Sequence, residues 1–295
     1  MIYKVSNALD CKQILIGLFL DLSKAFDTLD HSILLYKLDN YGIRGVLLDL
    51  FKSYLTNRKQ YVVVNNHESN LNAIVCGVPQ GSILGPLLFL IYMNDICQTS
   101  HKLQYILFAD DTSVFLSDDN IDNLVLDFNN ELAKINSWLV SNKLVLNINK
   151  THYMIFSNKL IDYNRLVVSF NNNIIDRSTS LKFLGVTIDS KLSWNEHIDV
   201  ICTKISKSIG ILNKLKHFPQ NILIMIYNAI ISPYFQYCNI SWGSSSNYAM
   251  SRLLRLQKKA VRIISRANFI AHTRPLFFNL KILNVFDLSD YNLAI

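Results

Sequence analysis

The chain has 295 residues, half of them hydrophobic and 17% charged, with 16 Phe and 14 Tyr, so a sizeable core can form. That composition excludes wholesale disorder, fibrous repeats and small disulfide scaffolds, and the length suits two packed units or one large one. The +7 charge is uneven: residues 1–190 carry 16 Lys+Arg against 18 Asp+Glu, and residues 191–295 carry 13 against 4, a net of +9. A basic end on a neutral body is the footprint of a partner that is a polyanion, nucleic acid above all, with a solvated lysine-rich surface as the alternative.

Asp10 falls where a signal peptide would need its apolar stretch, so secretion is not indicated. No apolar run reaches the roughly 18 to 20 residues that span a bilayer, and no membrane partner is expected. Five cysteines, at 11, 76, 97, 202 and 238, show no CxxC spacing. They fit a reduced intracellular setting, cytoplasmic or nuclear, and suggest neither a disulfide framework nor a zinc site.

Residues 14–20 form a short continuous apolar run ending at Asp21, which suits a strand buried on both faces. Helical periodicity covers about 32–39 and 46–54, broken by Gly42 and Gly45. Residues 61–65 and 72–77, joined by NHESNL, read as a β-hairpin. GVPQGS is a loop, and 83–96 a buried helix. Residues 104–109 and 112–116 are two strands about a turn containing Asp110 and Asp111. A long helix covers 120–140, and strands cover 151–156, 166–169 and 181–188. Beyond Trp194 the pattern is helical, with breaks at Pro219 and Pro233. Strands interleaved with helices, then helices alone, imply an α+β body followed by a helical domain, divided near 190.

Asp21 and the pair Asp110–Asp111 end apolar strands nearly ninety residues apart. Any one of them alone is ordinary turn chemistry. Two adjacent carboxylates, however, raise one another's pKa unless a cation compensates them. If the two strands lie side by side, three carboxylates converge and offer the hard oxygen ligands that Mg²⁺ prefers. Two such ions would activate a nucleophile and stabilise a leaving oxygen in phosphoryl transfer.

Three stretches, LFLDLSKAFDTLDH (18–31), GVPQGSILGPLLFLIYMND (77–95) and FADD (108–111), occur in that order. Together they resemble the reverse transcriptases of non-LTR retrotransposons, most of all the jockey-like group. The resemblance continues through NKLVLNINKT (142–151) and LKFLGVTID (181–189) into the helical end, and so covers essentially the whole chain. It implies a right-hand polymerase fold: an antiparallel palm sheet flanked by helices over 1–190, with partial fingers elements at 32–76, then a helical basic thumb over 191–295.

The resemblance also implies roles. Asp21, Asp110 and Asp111, helped by the Leu22 carbonyl, would bind two Mg²⁺ ions for attack of a DNA primer 3′-hydroxyl on an incoming deoxynucleoside triphosphate, copied from an RNA template. Phe26 would be the steric gate against a ribose 2′-hydroxyl. Gln80 would contact the nucleotide, and Gly81 would let backbone approach it closely. Lys150 would protonate pyrophosphate, a solvated Lys before a strand being the equal alternative. Phe183, Leu184 and Gly185 match the primer grip. Arg252, Arg255, Lys259, Arg262 and Arg266 recur every three or four residues beside the apolar ridge Leu253, Leu256, Ala260 and Ile264, a stripe that would track duplex phosphates.

Only 20 residues precede Asp21, where the family carries a fingers region with basic residues that clamp the triphosphate. The expectation is therefore an N-terminally truncated retrotransposon copy. The alternative function is a catalytically inactive nucleic-acid-binding remnant. A group II intron type enzyme would share the metal site but not the tail, and the similarity beyond Trp194 argues against it.

Overall fold

The run ILIGLFL has no polar side chain to leave in water, and it becomes β1 (Ile14–Leu20), the middle strand of a five-stranded sheet. The computed structural model describes residues 1–163 and 166–294 and divides into two compact units, Met1–Ser178 and Thr179–Ile295. The first unit begins with α1 (Ile2–Asp10), an element the sequence reading did not assign. After β1 come α2 (His31–Asn40) and α3 (Val46–Leu55), then β2 (Lys59–Gln60), β3 (Val63–Val64), β4 (His67–Glu68) and β5 (Asn72–Ala73). Next are α4 (Leu84–Met93), β6 (Gln104–Phe108), β7 (Asp111–Asp118), α5 (Ile121–Ser141) and β8 (His152–Phe156). The short β9 (Ser169–Phe170), β10 (Asn173–Ile174) and β11 (Asp176–Arg177) complete the unit.

The sheet order is β11-β8-β1-β7-β6, antiparallel except at its edge, where β11 runs parallel to β8. Side chains alternate along a strand. Ile14, Ile16, Leu18 and Leu20 of β1 enter the main core with Val114 of β7, Leu34 and Leu38 of α2, Phe89 of α4, and Phe128, Leu132 and Ile135 of α5. Leu15, Gly17 and Phe19 take the opposite face, where Phe19 meets the Phe115 ring edge-on at 5.8 Å. The mixed α+β architecture with a central, predominantly antiparallel sheet matches the fold class read from the sequence.

Several elements differ from expectation. The hairpin expected over 61–77 starts earlier, at Lys59, and is two nested ladders, β2 with β5 and β3 with β4, folding back at Asn65–Asn66 rather than along NHESNL. Both Asn residues have positive φ (50° and 65°), the conformation of the tight turns that Asn favours. The buried helix over 83–96 ends at Met93 and continues as a 3₁₀ turn through Thr99. The strand expected over 166–169 is reduced to residues 169–170.

The second unit opens with a hairpin, β12 (Ser180–Phe183) and β13 (Val186–Asp189). Then follow α6 (Asn195–Lys214), α7 (Gln220–Ile230), α8 (Ser232–Gln236), α9 (Asn239–Trp242), α10 (Asn247–Ile264), α11 (Arg274–Leu280) and α12 (Val285–Ala294). The compact units thus part at 178/179 rather than near 190, because the hairpin groups with the helices. His197 on α6 makes one such link, its Nδ1 accepting the Thr187 backbone N–H at 3.2 Å. The buried face of α10 carries Leu253, Ala260 and Ile264, with Gln257 among them as a polar staple. The Gln257 amide donates to Tyr227 Oη at 3.0 Å and to the Leu283 carbonyl at 2.9 Å, and accepts from the Val285 N–H at 2.9 Å.

Candidate active site

The register of the sheet brings the distant acids together. Leu20 pairs with Thr112 across β1 and β7, so the next step along each strand sets Asp21 opposite Asp111. Facing residues on antiparallel neighbours are about 5 Å apart at Cα. Alternation places both on the face of Phe19 and Phe115, away from the helical core. Phe108 pairs with Asp111 to close the β6–β7 turn, whose residues are Ala109 and Asp110. Ala109 is held at φ 51°, a left-handed conformation costly for a residue with a Cβ.

The Asp111 carboxyl is pushed above the usual range, first by partial loss of solvent and then by the negative charges of Asp110 and Asp21. Asp21 is half-buried and the other two are exposed. Among the described residues no three His, Cys, Asp or Glu side chains close into a ready ligand set. Their chemistry, hard anionic oxygens gathered at the ends of two neighbouring strands, fits a divalent cation such as Mg²⁺.

The backbone of Asp21 is clamped by the NINKT segment. Asn147 N–H donates to the Asp21 carbonyl at 2.8 Å, and Ser23 N–H donates to the Val145 carbonyl at 2.8 Å. These bonds flank the Leu22–Leu146 bridge, which leaves the Leu22 carbonyl outside the ladder. The buried Thr151 completes the clamp: its hydroxyl accepts the Asp21 N–H at 3.2 Å and donates to the Asn147 carbonyl at 2.9 Å. Lys150, one residue earlier, is exposed at the end of a 3₁₀ turn. Nothing local in the sequence marks Thr151, because its hydrogen-bond partner lies 130 residues away.

A second cluster joins the segment after Asp21 to the PQG loop. Val78 N–H donates to the Phe26 carbonyl at 2.9 Å, and Gly77 N–H to the Leu29 carbonyl at 2.7 Å. His31 Nε2 lies 2.7 Å from the Gly77 carbonyl. A Cβ at Gly77, whose φ is 81°, would sit 2.7 to 2.8 Å from the backbone of Asp27. Phe26 stacks on Phe89 with ring centroids 4.5 Å apart. Gln80 Nε2 donates to Asp27 Oδ1 at 2.9 Å. Gly81 has φ 78° and no protein atom within 4 Å of a Cβ built there, so within the chain its backbone conformation, not crowding, is what favours glycine.

In the second unit the 183–185 segment is a two-residue hairpin turn. Leu184 and Gly185 have φ 46° and 85°, Phe183 pairs with Val186, and Tyr237 Oη donates to the Leu184 carbonyl at 2.6 Å. The basic residues of α10 do not stand as one free stripe. Arg252 is paired with Asp199 at 2.6 Å, Arg255 Nε reaches the Ser251 carbonyl of its own helix at 3.4 Å, and Arg262 Nε donates to the Ala271 carbonyl at 3.1 Å. Arg266 lies beyond the helix end at φ 51° and donates to the Phe218 carbonyl at 3.0 Å. The periodicity was legible, but not the acid and carbonyls that engage its cations. Lys259, Arg262 and Arg266 line a cleft of about 710 Å³ with Lys216, His217 and Phe269.

The family model for reverse transcriptase (RNA-dependent DNA polymerase) matches residues 4–188. The chain belongs to the reverse transcriptase family. It is 28% identical over 287 residues to the RNA-directed DNA polymerase from mobile element jockey of Drosophila melanogaster, covering 94% of this chain and 31% of that protein. It is 27% identical to the probable RNA-directed DNA polymerase from transposon X-element of the same species, covering 97% and 32%. The chain thus spans about a third of the length of these relatives. Among solved structures, telomerase from Candida albicans in complex with a fragment of telomeric RNA aligns with 99% of this reverse transcriptase chain and 50% of its own, at 12% identity and TM-score 0.44. No helix of the described residues is long and apolar enough to cross a membrane.

Proposed function

We propose that this chain is the catalytic core of an RNA-directed DNA polymerase, extending a DNA primer with deoxynucleoside triphosphates on an RNA template. The observation that carries the reading is the β1–β7 register, which runs to Leu20 and Thr112 and so leads the strand ends carrying Asp21 and Asp111 alongside one another, next to the turn that carries Asp110. Asp21, Asp110, Asp111 and the Leu22 carbonyl would hold two Mg²⁺ ions. When bound, these supply charge neutralisation for the attacking and leaving oxygens of phosphoryl transfer. The Thr151 and Asn147 bonds hold the Asp21 backbone in place while the carboxylates carry the charge.

The ring of Phe26, braced on Phe89, excludes a ribose 2′-hydroxyl, and Gln80 and Gly81 present polar groups and backbone to the nucleotide. Lys150, exposed at the end of its 3₁₀ turn, would donate a proton to pyrophosphate. In the second unit the Phe183–Gly185 turn holds the primer end, and Lys259 with the neighbouring arginines takes up phosphates. The structural pairing of Arg252, Arg262 and Arg266 leaves the exposed Lys259 and Arg255 as the cations of the five that nucleic acid would meet first.

Primer extension on poly(rA)/oligo(dT) with Mg²⁺ tests the reading. Incorporation that disappears in Asp110→Asn is the expected result. Absence of extension together with salt-sensitive duplex binding replaces the polymerase with a noncatalytic nucleic-acid-binding protein.

A further inference from the structure

The loop after β1 and the PQG loop are interlocked chiefly through backbone. Phe26 and Leu29 carbonyls accept from Val78 and Gly77, the Asp27 carbonyl accepts the Cys76 thiol at 3.3 Å, and Gly77 has no room for a Cβ against the Asp27 backbone. None of these contacts uses the Asp27 side chain. Among the described residues its carboxylate accepts from the Gln80 amide at 2.9 Å.

We propose that Asp27 is a positioning residue that sets the orientation of the Gln80 carboxamide toward a hydroxyl of the incoming nucleotide sugar. The inference rests on the polymerase reading above. A glutamine amide has two nearly isosteric orientations, one presenting oxygen and the other presenting NH₂. An ionised carboxylate only accepts, so Asp27 binds the NH₂ end and turns Oε1 the other way. Oε1 is then an acceptor offered on the same loop cluster that carries Phe26, suited to a hydroxyl donor. Both side chains are exposed in the free protein, so their bond contributes little to folding. A nucleotide covering the loop excludes water and strengthens it.

The test compares the wild type with Asp27→Ala, Asp27→Asn, Gln80→Ala and the double alanine variant. One readout is the side-chain amide signal of Gln80 in ¹⁵N-glutamine-labelled protein. The other is kcat and KM for dTTP on poly(rA)/oligo(dT). Asp27→Ala is expected to move the Gln80 signal and raise KM five- to tenfold with kcat within twofold. Asp27→Asn, which keeps an oxygen acceptor, restores both. In the Gln80→Ala background, Asp27→Ala adds less than twofold. An unmoved Gln80 signal in Asp27→Ala, or independent effects in the double variant, overturns the proposal. If the wild type extends no primer, the polymerase reading fails by itself, and the amide signal decides the orientation: a shift in Asp27→Ala that is reversed in Asp27→Asn supports it, and no change refutes it.

Discussion

Replacing Thr151 by Val exchanges a hydroxyl for a methyl of nearly equal size at a fully buried position. The change removes the donor to the Asn147 carbonyl and the acceptor for the Asp21 N–H. The Asn147 carbonyl still accepts the backbone N–H of Thr151 at 3.0 Å and of Lys150 at 3.2 Å, so the group left orphaned is the amide of Asp21. An orphaned donor costs about 1–3 kcal/mol when fully buried and less at the half-buried Asp21, and the extra buried methyl returns about 0.8 kcal/mol, for a net loss of about 0–2 kcal/mol. Thr151→Ser keeps both bonds and loses a methyl, also about 1 kcal/mol. Urea unfolding should therefore show both variants weakened with little change in slope. Amide hydrogen exchange separates them, since about 1.4 kcal/mol of lost local protection is a tenfold faster rate. Asp21 should exchange about tenfold faster in Thr151→Val than in Thr151→Ser. Equal exchange in the two would show that the hydroxyl does not hold the end of β1.

Other perturbations follow from the same contacts. His197 is buried and held down to about 4, by burial first and the Lys204 charge second, so it is neutral when folded. Its folded pKa lies below the unfolded value of about 6.5, so stability is full above that pH and falls toward pH 4, by up to about 1.4 kcal/mol per unit. Guanidinium unfolding at pH 7.5 and 5 should show about 2 kcal/mol lost in the wild type and a flatter profile in His197→Gln; parallel profiles would refute the assignment. Lys37 is buried with Nζ 2.5 Å from the Tyr92 carbonyl and 2.6 Å from Asp95 Oδ1, between the rings of Tyr92 and Trp138. Lys37→Ala should cost about 2–3 kcal/mol in urea unfolding, chiefly through the cavity it leaves, since Asp95 is partly exposed and can take up water, and a loss below about 1 kcal/mol would contradict the contact. Gly77→Ala should lower the thermal midpoint well below that of Gly81→Ala, since both need positive φ but only position 77 collides with backbone.

The sequence made β1, α5, the turn between β6 and β7 and the helical end legible, because each rests on a local signal such as an unbroken apolar run or a long helical period, although the turn is made by Ala109 and Asp110 and Asp111 opens β7 instead. It also put Asp21, Asp110 and Asp111 forward together. What it could not supply was partnership at a distance. Thr151 reads as a residue before a strand until its partners at 21 and 147 are seen, and Asp27 reads as turn chemistry until Gln80 is placed against it. The α10 arginines show the same limit, since their periodicity names a face and not Asp199 or the carbonyls at 218 and 271. Two elements were missed despite local signals: α1 buries Val5 and Ala8, three apart, and the hairpin tip carries two adjacent asparagines.

The cation capacity of the acidic trio is tested most directly by thermal unfolding with and without Mg²⁺, for the wild type and for Asp21→Asn, Asp110→Asn and Asp111→Asn. Without Mg²⁺ the Asp110→Asn protein, relieved of repulsion, should unfold at or above the wild-type temperature. Added Mg²⁺ should raise the wild-type midpoint and leave the three variants nearly unmoved. An equal Mg²⁺ shift in all four proteins would contradict a shared site.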